Sequence, residues 1–96
     1  MIKVADLPMY DTADYLTDEE TISAYLSVVL EENDPNAFIE ALGTVARARS
    51  MSVIAEQTGL NRESLYKALS GDKSPRYETI TKVIHALGLK LMITPA

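Results

Sequence analysis

The sequence has no cysteine, no tryptophan and no long run of apolar residues. Without cysteine there can be no disulfide bridge, no thiolate nucleophile and no cysteine-ligated zinc site. A membrane-spanning helix needs about 20 consecutive, mostly apolar residues, and the N-terminal region also lacks the apolar core of a signal peptide. These absences exclude disulfide-stabilised, zinc-ribbon and membrane-spanning proteins, and they are compatible with a cytosolic protein.

What is present is the composition of one small globular domain. The 96 residues are 47% apolar and 24% charged, which is typical of folded soluble proteins. A chain of this length can bury a real core, but it keeps only a few kcal/mol of net stability. We therefore expect a single domain.

Basic residues are nearly absent from the first forty positions. This region has ten acidic residues and only Lys3 as a base, a net charge of −9, whereas the remaining residues have eight bases and four acids, a net charge of +4. The total of −5 therefore combines two regions of opposite charge. We predict an acidic helical extension at 1–40, packed on the same domain as a DNA-binding region at 41–96. Solvated helix faces are the alternative explanation.

Residue spacing in the first half predicts two helices. Thr17 and Glu20 have the form of a capping box. After it, apolar residues recur with the period of one helix face, at Ile22, Tyr25, Leu26, Val29 and Leu30. Asp34-Pro35 then ends this helix and begins the next, with the aspartate as N-cap and the proline in the first turn.

The second half predicts three further short helices and a strand. Their ends are marked by capping and helix-stopping residues, namely Ser50 or Ser52, Gly59, Asn61, Ser74-Pro75 and Gly88. Tyr77 begins the apolar stripe of the last helix. Residues 89–94 alternate as a short β-strand does, and its partner would be residues 2–4 or a second subunit. The predicted fold class is all-α, a compact bundle of about five to six helices with a short C-terminal β-strand.

Residues 50–70 have the spacing of a helix-turn-helix. Ala55 is small where the two helices would cross most closely, and Gly59 permits the positive φ of a sharp turn. The apolar residues that would fill the wedge between the helices are Ile54, Leu60, Leu65 and Leu69. An ordinary helical hairpin within a bundle is the alternative interpretation.

The second helix of this motif has an outer face suited to the major groove of DNA. Arg62 can donate two hydrogen bonds to guanine, Glu63 can accept one from cytosine N4, and Lys67 lies one turn further on. Lys73 and Arg76 follow the helix and suit phosphates. The predicted DNA-binding residues are Ser50, Ser52, Asn61, Arg62, Glu63, Ser64, Tyr66, Lys67, Lys73 and Arg76.

Several short stretches also match a known family. They are Tyr10-Asp11, Tyr15-Leu16, Tyr25-Leu26, Asp34-Pro35, Ala41-Leu42, Ala46-Arg47-Ala48-Arg49 and Thr58-Gly59-Leu60. Residues 50–91 resemble the Xre/Cro type of helix-turn-helix. Residues 6–94 as a whole resemble the addiction-module antidote proteins, the HigA-like antitoxins of type II toxin–antitoxin pairs. Ser50 departs from the family pattern, since a glycine is expected before Met51.

The resemblance implies a cytoplasmic antitoxin that needs no cofactor. Such a protein represses its own operon as a homodimer on operator DNA and neutralises a cognate toxin of the RelE/ParE-like class. The acidic region would steer a basic toxin towards this chain. The apolar anchors for the toxin are predicted to be Leu7, Met9, Tyr10, Tyr15 and Leu16. Packing of residues 1–16 along the protein's own helices is the alternative.

The sequence offers little chemistry for an enzyme. His85 is the only histidine, and there is no phosphate-binding glycine loop, zinc pattern or serine elbow. We therefore expect no enzymatic activity. Two functions remain, an antitoxin and a stand-alone Xre-family transcriptional regulator of the phage-repressor kind without a toxin partner. A small basic reading frame beside the gene would favour the antitoxin.

Overall fold

Five α-helices follow one another in the computed structural model, which describes residues 18–72 and 74–96. They are α1 (Glu19–Glu31), α2 (Pro35–Arg49), α3 (Met51–Thr58), α4 (Arg62–Ala68) and α5 (Tyr77–Ala86). The predicted all-α class is confirmed for this part of the chain.

The core is formed where α2 and α3 meet the other helices. The long helix α2 packs against α1, α3 and α5, and α3 packs against α4 and α5. The largest fully buried side chains come from all five helices and the turn after α5: Ile22, Leu42, Val45, Ile54, Leu65, Val83 and Leu87. Because one apolar cluster includes residues of every helix, the helix-turn-helix segment and the acidic α1 share a single core.

The start of α1 differs from the predicted capping box. Its N-cap is Asp18 rather than Thr17, which lies outside the described residues, and the Asp18 carboxylate accepts a 2.7 Å hydrogen bond from the Thr21 amide. That bond lowers the pKa of the Asp18 carboxyl. The cap therefore stabilises the fold at neutral pH, and its contribution is lost as the pH falls through the lowered pKa. Leu30, predicted on the buried stripe, is 46% exposed because it lies in the last turn of α1.

The predicted junction at Asp34-Pro35 is confirmed. The Asp34 carboxylate accepts hydrogen bonds from the amides of Asn36 and Ala37, at 3.1 and 3.2 Å, and Pro35 is the first residue of α2. A proline there loses no helical hydrogen bond, since the first amides of a helix have no partner within it.

The start of α5 also differs from its prediction, whereas its end agrees. Ser74-Pro75 does not begin the helix; Arg76 keeps an extended backbone as N-cap, without a side-chain capping bond, and α5 starts two residues later. Tyr77 is consequently the first helical residue, and its side chain is 71% exposed rather than buried. Helical side chains tilt towards the N-terminus, which at this position leads away from the core.

Gly88, at φ +80°, ends the helix with hydrogen bonds from its own amide and that of Leu89.

The predicted C-terminal strand is wrong for the described residues. Residues 90–96 have no regular secondary structure and form no backbone hydrogen bond with any other described residue. A strand needs a hydrogen-bonding partner, and the partner suggested within the chain, residues 2–4, lies outside the described residues. Leu91, Met92 and Ile93 are consequently exposed.

Ser50 occupies a strained position between α2 and α3. Its φ of +121° is rare for any residue except glycine, which gives a physical reason for the glycine expected before Met51. The same residue also caps α3, because its Oγ accepts a hydrogen bond from the Val53 amide at 3.4 Å. At Ser50 the backbone strain therefore lowers the stability of the fold, and the capping hydrogen bond raises it.

Two substitutions of Ser50 should change stability in opposite directions. Glycine removes strain of about 1–3 kcal/mol, loses only a few tenths of a kcal/mol as a cap, and gains some entropy in the unfolded chain. Ser50→Gly should thus raise the free energy of unfolding by about 1 kcal/mol. Ser50→Ala keeps the strain and loses the cap, and it should lower that free energy by about 0.5–2 kcal/mol. Urea denaturation measures both; a decrease in both variants would contradict the strain argument.

Candidate nucleic-acid interface

The turn between α3 and α4 is held by backbone conformation and by one buried hydroxyl. Gly59 has a φ of +78°, as its place in the motif predicts. Thr58, to which the sequence analysis assigned no structural role, donates from Oγ1 to the Ile54 carbonyl at 2.8 Å and accepts from the Leu60 amide at 3.3 Å. It is the one buried polar side chain among the described residues. Local hydrogen bonds therefore stabilise the turn that leads from α3 to α4.

One face of α4 is anchored in the core, and the helix is capped in the predicted way. Leu65 is fully buried and Leu69 nearly so. The Asn61 side chain accepts a 2.7 Å hydrogen bond from the Ser64 amide. Asn61 is therefore committed to capping in this structure, although it was also predicted to contact DNA.

The predicted base-reading side chains of α4 are all exposed, namely Arg62, Glu63, Ser64, Tyr66 and Lys67. Glu63 and Lys67 lie opposite Leu65 on the helix, and Arg62 is the first residue of α4. Glu63 Oε1 and Lys67 Nζ lie 3.4 Å apart and form an ion pair along the helix. A rigid, anchored helix that presents donors and acceptors to solvent is the arrangement that major-groove recognition requires.

The other predicted DNA-binding residues surround this helix in sequence. Ser50 uses its hydroxyl to cap α3, and Ser52 is exposed in the first turn of α3. Arg76 is exposed at the start of α5. Lys73 lies outside the described residues, as do all five predicted toxin anchors, Leu7, Met9, Tyr10, Tyr15 and Leu16.

A further basic residue next to α4 was missed by the sequence analysis. Helix α2 approaches the end of α4 closely at Gly43: a Cβ atom at this position would lie only 2.7 Å from the carbonyl oxygen of Leu69, the C-cap of α4. The same Cβ would lie 3.2 Å from a guanidinium nitrogen of Arg47. The exposed Arg47 side chain thus lies beside the end of α4. From the sequence, Arg47 was noted only as part of a stretch that matches the family, Ala46-Arg47-Ala48-Arg49. The signal that was overlooked is a glycine four residues earlier, on the same helix face, where another helix can approach closely.

The described residues contain no arrangement typical of a catalytic or metal site. No group of three His, Cys, Asp or Glu side chains within them could hold a metal ion. An open groove of about 620 Å³ is lined by Glu19, Arg49, Gln57, Lys82, His85, Ala86, Leu87 and Gly88. The groove shares no residue with the outer face of α4 and contains no serine, threonine or cysteine nucleophile. In the described part of the chain, no helix is both long and apolar enough to span a membrane.

Comparison with known proteins identifies the family of this chain. Residues 6–95 match the model of a family described as probable addiction module antidote protein. The chain is also 46% identical, over 84 residues, to an uncharacterized protein of Haemophilus influenzae; the match covers 88% of this chain and 87% of the relative. No solved structure matches the chain. Because the family model matches nearly the whole sequence, the chain belongs to the family of probable addiction module antidote proteins.

Proposed function

We propose that this protein is the antitoxin of a type II toxin–antitoxin module, with two binding activities. One is autorepression, in which a dimer of the chain binds operator DNA through an Xre-type, HigA-like helix-turn-helix formed by α3 and α4. The other is neutralisation of a cognate RelE/ParE-like toxin in the cytoplasm. Family membership implies the antidote role and a cognate toxin. The DNA-binding activity and the class of toxin are the parts that we add.

The observation that carries the DNA-binding proposal is the anchored helix α4 with its polar outer face. Leu65 and Leu69 hold the helix in the core, so its position is fixed before DNA arrives. Arg62 is in its first turn, where a side chain can reach base edges in the major groove. Arg47 is exposed beside the end of α4, and Arg76 is exposed at the start of α5. Both suit phosphates, which set register without reading bases.

The dimer is proposed because one module of this size contacts too little DNA for tight, specific binding. A dimer reads two half-sites about one helical turn apart. The exposed apolar side chains of Leu91, Met92 and Ile93 supply one candidate seam, since a second subunit would cover them. The first two helices supply the other.

The acidic N-terminal region supports the proposed basic toxin. α1 and its two caps contain Asp18, Glu19, Glu20, Glu31 and Glu32 and no basic residue. Acids in the last turn oppose the helix dipole, where a cation would be stabilising, so stability does not explain Glu31 and Glu32. A basic protein that itself attracts nucleic acid would be steered to this surface.

Co-purification from the native operon tests the proposed function. The chain should co-purify with the product of an adjacent small basic reading frame, and the complex or the free chain should shift the DNA upstream of that operon. Light scattering at micromolar concentration should give the mass of a dimer. A shift of the upstream DNA without any toxin partner would instead favour the stand-alone regulator.

Substitution of Arg62 tests the assignment of α4. Arg62→Ala should weaken operator binding by about 1–3 kcal/mol and relax the preference at one base position, because a bidentate contact to guanine is lost. Arg62→Lys is the matched control, since it keeps the charge but cannot form the two-pronged contact; it should lose the base preference while retaining the salt dependence. Shift assays on single-base operator variants measure both. Unchanged affinity and preference in Arg62→Ala would contradict the assignment.

A further inference from the structure

The outer face of α4 contains an acid at the centre of a surface proposed to meet a polyanion. Glu63 and Lys67 form an ion pair at 3.4 Å, and their side chains are 80% and 74% exposed. An exposed pair of this kind contributes little to stability. In the free protein, Lys67 is paired with a carboxylate of its own helix, that of Glu63.

A second pair in the described chain has the same chemistry but a different place. Glu78 and Lys82 of α5 lie 3.3 Å apart with the same spacing of four residues. Lys82 lines the open groove, which shares no residue with the outer face of α4. The described chain thus contains two ion pairs of the same spacing, one on α4, the proposed recognition helix, and one on α5.

We propose that Glu63 is a specificity-determining residue that lowers binding to non-operator DNA. On a non-operator sequence the Glu63 carboxylate repels the phosphates and stays paired with Lys67. It also enters the groove without a hydrogen-bond donor, and burying an unpaired charge away from water is costly. On the operator a cytosine N4 amino group donates to Glu63, and Lys67 is released to contact the DNA. The inference rests on the proposed DNA-binding function. It assigns to Glu63 a part of the difference in affinity between the operator and other DNA sequences.

The variant Glu63→Gln tests this role, because glutamine keeps the shape of the side chain and removes its charge. Binding to random-sequence duplex should become about 3- to 10-fold tighter, and its salt dependence should steepen by roughly one unit of slope as Lys67 becomes available to a phosphate. Operator binding should gain less or weaken, so the ratio of operator to random affinity falls. The matched control Glu78→Gln makes the same change in net charge and should leave this ratio unaltered.

A second measurement asks whether Glu63 acts through Lys67. In a Lys67→Ala background the steeper salt dependence of Glu63→Gln should disappear, since no released lysine remains to bind a phosphate. Equal effects of Glu63→Gln and Glu78→Gln, or equal gains on operator and random DNA, would overturn this inference alone. Failure of the unaltered protein to bind either DNA would overturn the proposed function and this inference with it. The three substituted side chains, Glu63, Lys67 and Glu78, are exposed, so the variants should fold, which circular dichroism checks.

Discussion

Replacing Leu65 with alanine should lower the free energy of unfolding by about 2–5 kcal/mol, a large fraction of the stability of so small a domain. Leu65 is fully buried in the wedge between α3 and α4. Its truncation removes apolar contacts and leaves a cavity that the short helix α4 can fill only by shifting. For a small domain, whose total stability lies near the lower end of about 5–15 kcal/mol, this loss is decisive. Urea denaturation followed by far-ultraviolet circular dichroism measures it.

Leu30→Ala is the matched control for this substitution. It removes the same atoms from a leucine that is also helical but partly exposed, so it should lower the free energy of unfolding by less than half as much as Leu65→Ala. Equal losses in the two variants would show that α4 is not held through Leu65. Operator binding should fall together with the folded fraction in Leu65→Ala and stay near that of the unaltered protein in Leu30→Ala.

The joint substitution Tyr10→Ala and Tyr15→Ala should weaken toxin binding by roughly 1,000-fold, which corresponds to about 4 kcal/mol for the two residues together. Aromatic anchors that become buried in an interface commonly contribute about 2 kcal/mol or more each, whereas the acidic residues around them contribute mainly to steering. Operator binding should remain unchanged, because the predicted DNA-binding residues all lie at 50–76. Titration of the purified toxin by calorimetry and a shift assay on the operator measure the two activities separately.

Tyr77→Ala is the control for the tyrosine substitutions. Tyr77 is exposed on α5, outside the acidic region, and its loss should leave toxin binding unaltered. If the two N-terminal substitutions lower the free energy of unfolding and leave toxin affinity unchanged, residues 1–16 pack along the protein's own helices and the toxin binds elsewhere.

Local chemistry explains which helix ends could be predicted from the sequence. Asp34, Gly59 and Asn61 act within a few residues of themselves, through a capping oxygen or a positive φ, and each is found in its predicted role. Thr17 and Ser74 were chosen by the same rules and are wrong as N-caps. At both places another residue, Asp18 or Arg76, takes the extended backbone that precedes the helix, and sequence spacing does not determine which neighbour does so.

Features that depend on distant partners were harder to predict. The alternation at 89–94 describes what a strand would contain, but no described residue pairs with this segment. Arg47 was visible in the sequence, but its place beside Leu69 depends on the close approach that Gly43 allows between α2 and α4. The exposed face of α4 was predictable because one turn of helix and the buried Leu65 and Leu69 together determine where its other side chains point.

The junction at Ser50 limits the motion of α3 and α4 relative to α2 and the acidic α1. Ser50 alone separates α2 from α3, and its amide, carbonyl and hydroxyl are all hydrogen-bonded, to Ala46, Ile54 and Val53. A single residue held at three points cannot serve as a hinge, and α2 is also packed against α1 and α5. Helices α1 and α4 would therefore be held at one fixed distance and angle. A clash between partners that contact these two helices could not be relieved by bending at the junction between α2 and α3.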